Sequence, residues 1–189
     1  IAKQAEQKTT GIPEGLENPE FVDVFKDMGV DIVHLGEFHN GKTPKLSTEE
    51  RLKQLSVMHE ECERLSQDGF LLLPGEEPNV HIGGHWISFF PNPVNWVLSR
   101  NEGQPFVQEM DGVGTVYHVG STEDVHKLMK REGGLAWTAH ARVKSSTGFP
   151  DAYNETPLFE SDRFLGAAWK AMPADYSRDT LGWRVSGLL

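Results

Sequence analysis

Hydrophobic and polar positions along the chain fall into short alternating blocks that read as helix and strand in turn. Residues 19–28 carry Phe21, Val24, Phe25 and Met28 at helical spacing, and Gly29 follows as a stop. Residues 31–35 read as a short buried strand, with Ile32 and Val33 β-branched, running into the polar cluster Gly36, Glu37, Phe38, His39, Asn40. Ser47 followed by Glu50 fits a capping box, and Leu52, Leu55, Met58, Cys62 and Leu65 form the stripe of a second helix that Gly69 ends. An all-apolar strand at 70–73 gives way to Pro74, Gly75, Glu76, Glu77, and a further strand, 86–90, starts directly after His85.

Prolines 91, 93 and 105 interrupt the pattern, so 91–114 reads as a loop-rich insertion with a short helix near 94–98. A strand at 115–119 follows, then Ser121 as the cap of a helix over 122–131 with Val125, Leu128 and Met129 on its apolar face. Gly133 and Gly134 end that helix, and the strand at 135–139 leads to His140 and Arg142. Residues 144–156 are irregular, and the tail has no clear period. The recurring order of helix, strand and polar terminus predicts a parallel α/β architecture that gathers ligands at the carboxyl ends of its strands. Four or five strands are too few for a complete (β/α) barrel, so the expectation is one partial-barrel domain over 1–189.

Composition agrees with a folded chain: 189 residues, 38% hydrophobic and 24% charged. Eighteen Lys+Arg against 28 Asp+Glu, with no basic run, argue against nucleic acid and anionic membranes as partners. No apolar stretch approaches the ~20 residues of a membrane span. Cys62 is the single cysteine, which excludes an intramolecular disulfide and leaves any metal to His, Asp or Glu. The chain begins at Ile1 with no signal-sequence pattern, so the expectation is that its natural N-terminus is missing or processed, and its compartment is not readable.

Eight histidines carry the candidate chemistry. His59 and His126 fall inside helices beside charged neighbours and read as solvated. His39, His85 and His140 sit at or beside strand ends and Glu77 in the turn after another, so all four can converge on one mouth of a parallel sheet. Imidazole nitrogens and carboxylate oxygens suit zinc, iron or manganese, and a carboxylate bridging two ions suits metal-assisted hydrolysis. His81 and His85 are four residues apart, but Gly83 and Gly84 argue against a helix and HExxH is absent. Walker, dinucleotide and GxSxG patterns are absent too, and Cys62 reads as a buried hydrophobe. The tryptophans at 86, 96, 137, 169 and 183 read first as core. As a wall, Trp86, Trp96 and Trp137 leave open a non-catalytic module that binds a carbohydrate or other small ligand.

Residues 31–40, 72–89 and 136–142 together resemble the PHP superfamily, the polymerase and histidinol phosphatase metal hydrolases, and above all its CehA/McbA-like branch. The likeness spans roughly the first three quarters of the chain. His39 resembles the family's strand-end metal ligand, Glu77 in Pro74, Gly75, Glu76, Glu77 its bridging carboxylate, and His85 after Gly84 a further ligand. Ala139, His140, Ala141 resembles the later strand end that supplies another histidine. The family's opening His-x-His and closing Asp-x-His have no counterpart here, Phe38 stands where Asp is common, and Ala141 where Pro is common.

The resemblance implies a distorted (β/α)7 barrel, here partial and truncated at both ends. It further implies up to three divalent metal ions (zinc, manganese or iron) held by His39, Glu77, His85 and His140. The implied activity is phosphoesterase on a small, phosphorylated molecule, with amide or ester hydrolysis of a small molecule as the alternative. Glu77 and His85 would act at the reacting centre, with Arg142 anchoring a phosphate or carboxylate. Glu37, Glu76, His81 and His118 are second candidates for support or anchoring. Unpaired barrel edges leave a homo-oligomer open.

Overall fold

A computed structural model of the chain describes residues 17–39, 46–67, 69–140 and 153–168. Among the described residues there are three helices, α1 (Glu20–Asp27), α2 (Thr48–Leu65) and α3 (Thr122–Glu132). The first strands are β1 (Ile32–His34), β2 (Glu37–His39), β3 (Leu71–Leu73), β4 (Gly75–Pro78) and β5 (Trp86–Phe89). After them come β6 (Asn95–Val97), β7 (Val107–Met110), β8 (Gly114–His118), β9 (Leu135–Ala139) and β10 (Phe164–Ala168). The result is an α/β fold with mixed sheets and few helices.

The strands of the described residues form three separate open sheets. β1 and β3 pair in parallel, and their continuations β2 and β4 pair in parallel in the same register, Ile32 opposite Leu71 and Glu37 opposite Glu76. The two pairs are one ribbon interrupted where Pro74, which has no N–H to give, breaks the ladder. α2 is the crossover between the two arms of that ribbon. Its start is fixed by the expected capping box: Ser47 Oγ accepts from Glu50 N at 3.2 Å, and Ser47 N donates to the Glu50 carboxylate at 2.8 Å.

The five-stranded sheet runs β10-β9-β5-β4-β2, and β5 is antiparallel to both its neighbours. A parallel arrangement throughout was the sequence expectation, and the connection length corrects it. A parallel return needs a crossover of about a dozen residues or more, and the short loop between Pro78 and Trp86 has no helix in it. The expected helix near 94–98 is corrected as well: Asn95–Val97 is β6, parallel to β8, with Trp96 buried. Pro91 and Pro93 disfavour helix just before it, and valine and tryptophan suit a pleated, packed surface.

α2 buries its predicted stripe, Leu52 to Leu65, against Phe70, Leu72 and the β6–β8 sheet through Val97 and Val116. A second cluster joins Trp86, Trp96, Val119, Leu128 and Met129. α1 differs from its predicted face. Val24 and Met28 are 53% and 69% exposed, whereas Val22 is buried and Phe21 and Phe25 pack beside it. No helix among the described residues is long and apolar enough to cross a membrane.

Candidate metal centre

Three neighbouring strands of the five-stranded sheet bring one carboxylate and two imidazoles together. Glu77 lies on β4, His85 immediately precedes β5, and His140 immediately follows β9. His85 Nδ1 is 2.7 Å from Glu77 Oε1, and His140 Nε2 is 3.6 Å from the same oxygen. The two imidazole centroids are 5.1 Å apart. The side chains are 14–26% exposed, open enough to be reached and enclosed enough to be held. Among the described residues this is the one group of three His, Cys, Asp or Glu whose ligand atoms all lie within 4.8 Å of one another.

Local structure explains why each side chain is where it is. Ala139 N donates to His85 O at 3.0 Å, which seats His140 beside His85. His140 then takes φ +38°, one of two positive φ values among described non-glycine residues. Histidine tolerates this region better than most residues, and the twist ends β9 at His140. The other is His81, φ +73°, in the loop that carries the chain from Glu77 to His85. That loop is pinned from both sides. Trp86 Nε1 donates to Val80 O at 2.8 Å, and the Thr122 hydroxyl at the start of α3 donates to His81 O.

His34 packs edge-on against Phe89 and tilted against Trp137, at centroid distances of 5.1 and 5.2 Å. Burial lowers its pKa from the ordinary histidine value, opposed by a hydrogen bond to the Ser88 backbone. Sequence reasoning gave His34 no role, and nothing in the periodicity marks it out.

The other sequence candidates fall elsewhere. His39 ends β2 opposite Pro78 in the register; its side chain and that of Glu37 lie outside the described residues, as does Arg142 altogether. Glu76 is buried on the far side of β4 in an ion pair with Arg51. Consecutive strand residues face opposite sides, and that alternation is the signal by which the sequence could have separated Glu76 from Glu77. His118 belongs to the other sheet, buried with Nδ1 3.0 Å from Gln104 Nε2 and Nε2 3.1 Å from Gln108 Oε1. His81 is turned toward α3 and β8, its pKa lowered by burial and raised in part by the Val119 backbone. His59, expected to be solvated, is half-buried, and burial lowers its pKa against the pull of Glu76. Trp86 and Trp96 are 0% and 1% exposed, which removes two of the three aromatics from the binding-wall alternative.

The donor set fits a small divalent cation. Ligand bonds to zinc are about 2.0–2.2 Å for imidazole and carboxylate, so three donors must lie within a few ångströms of one another, as these do.

No family model matches the chain, and no curated protein does. Among solved structures it is similar to a two-domain protein from Bacteroides vulgatus containing a predicted PHP-like metal-dependent phosphoesterase. The identity is 19% and the TM-score 0.38, over 78% of this chain and 37% of that one. The chain therefore spans well under half the length of that structure.

Proposed function

We propose that this chain is part of a metal-dependent hydrolase of the PHP type, a distorted (β/α)7 barrel of the CehA/McbA-like branch, acting as a phosphoesterase. The observation that carries the reading is the convergence of Glu77, His85 and His140 from three different strands. The sequence resemblance to the PHP motifs had singled out these same residues.

In this reading His39 is the fourth ligand and the domain extends over 1–189. The ions, when bound, lower the pKa of water and neutralise charge on the phosphoryl oxygens. Glu77 holds the His85 imidazole by a hydrogen bond on Oε1, with His140 Nε2 3.6 Å from the same oxygen. His85 presents Nδ1 to that oxygen, which fixes its ring plane. The guanidinium of Arg142 supplies a planar fork for the anionic group of the substrate. Zinc, manganese and iron all suit this donor set.

The test is metal content by mass spectrometry after reconstitution with each ion, alongside hydrolysis of bis(p-nitrophenyl) phosphate. Stoichiometric metal in the wild type that is lost in His85→Ala and His140→Ala is the expected result. Equal metal content and equal turnover in wild type and both variants would end the assignment. Metal bound without turnover of any phosphoester, but with turnover of a carboxylic ester or amide, would move the reaction to the other bond class.

A further inference from the structure

Glu76 and Glu77 are consecutive on β4, and the pleat sends them to opposite sides of the sheet. Glu77 faces His85 and His140. Glu76 faces α2, where it is 2% exposed and meets the guanidinium of Arg51. Arg51 stands in the first turn of α2 and is itself buried, with Nη1 donating to Gln54 Oε1 at 3.2 Å. The ion pair therefore ties the crossover helix to the strand at the residue next to the candidate ligand.

Besides Arg51, the imidazole of His59 on α2 lies within electrostatic reach of Glu76, which opposes the lowering of the His59 pKa by burial. Ser88 lies opposite Glu76 in the β4–β5 register, and its buried hydroxyl makes no hydrogen bond. A carboxylate this far from water is held where its counter-charge is, because any swing away from it leaves an unpaired charge in a low-dielectric layer. Rotation of β4 about its own axis would carry Glu76 off Arg51 and Glu77 off the histidines together.

We propose that Arg51 and Glu76 form a positioning pair for Glu77, holding β4 so that the Glu77 carboxylate stays between His85 and His140. This rests on the reading of the trio as a metal centre. It differs from a purely stabilising ion pair in its consequence: loss of the pair disturbs the trio beyond what an equal loss of stability elsewhere does.

The experiment compares Arg51→Met and Arg51→Lys with Met58→Ala, a core truncation seven residues, about 10 Å, further along α2. Two quantities are read at temperatures where all variants are folded. One is the imidazole nitrogen NMR signal of the His85 Nδ1 to Glu77 hydrogen bond in metal-free protein; the other is zinc affinity by chelator competition. The expected result is that Arg51→Met loses the hydrogen-bonded signal and binds zinc at least about tenfold more weakly. Arg51→Lys recovers both in large part, and Met58→Ala keeps both. Retention of the signal in Arg51→Met, or its equal loss in Met58→Ala, would overturn the proposal. Where Arg51→Met does not fold, Glu76→Gln, which keeps shape and removes charge, is read by the same two outcomes. Wild-type protein that binds no zinc overturns the metal centre instead, and the His85 signal still decides the pair.

Discussion

The imidazole of His34 occupies the space that any side chain at Gly75 would need. A β-carbon at 75 would lie 1.8 Å from His34 Nε2 and 2.7 Å from the Leu35 carbonyl oxygen. The ring cannot retreat freely, since Phe89 and Trp137 brace it. Gly75→Ala is therefore expected to destabilise the fold by about 1–3 kcal/mol, the usual cost of overpacking. Denaturant unfolding would measure it, and an unchanged midpoint would contradict the contact. The double variant Gly75→Ala with His34→Ala should recover only part of the loss, because the Leu35 oxygen is backbone.

The cap of α2 offers a cleaner measurement. Ser47→Ala removes the oxygen that receives Glu50 N, and the expected cost is about 1 kcal/mol. Ser47→Thr keeps that oxygen and should stay within a few tenths of wild type. A midpoint for Ser47→Ala indistinguishable from wild type would mean that the capping box contributes nothing.

Acid should destabilise the protein through three histidines. His34, His59 and His81 all have pKa values lowered in the fold from the ordinary histidine value, each chiefly by burial. The unfolded chain thus binds protons that the native state refuses. Stability is complete above the unfolded value and is lost as pH falls through 6.5 toward the lowered folded values. Urea midpoints recorded in chelator should be level at pH above about 7.5 and decline below about 6.5. His59→Gln, remote from the trio in sequence, should flatten the decline. A midpoint that rises on acidification would refute the sign.

Cys62 should behave as an inert thiol. It is 1% exposed, and burial pushes its pKa up to about 12. Iodoacetamide should leave the native protein unlabelled over hours at neutral pH and label it quickly in denaturant, because the thiolate is the reacting form. Rapid labelling of folded protein, followed by mass spectrometry, would show that α2 opens locally.

What was legible in the sequence was whatever depends on near neighbours. The stripe of α2, its Ser47 cap, the Ser121 cap and Gly133 stop of α3, and the β9 span all rest on patterns within a few residues, and the structure places them accordingly. Of the trio, His85 and His140 sit beside strand ends that periodicity finds, whereas Glu77, expected in a turn, lies on β4. The illegible parts depend on partners far along the chain. β2, β4 and β6 are short or polar, and only their pairing makes them strands. The antiparallel β5 follows from a loop length whose meaning appears only once both strands are in one sheet. The exposed Val24 and Met28 could not be told from core by spacing, since α1 presents apolar residues on more than one side.

The trio also has an order of assembly written into it. Glu77 and His85 are eight residues apart and come together when one short loop closes, an event that needs little of the chain. His140 arrives only after the β6–β8 sheet and α3 have been traversed and β9 has found β5. Contacts between distant segments form late and slowly relative to local ones. Full three-point coordination is therefore a signal that long-range pairing is complete, and a cation taken up there would favour the finished molecule over every partly folded state that lacks β9.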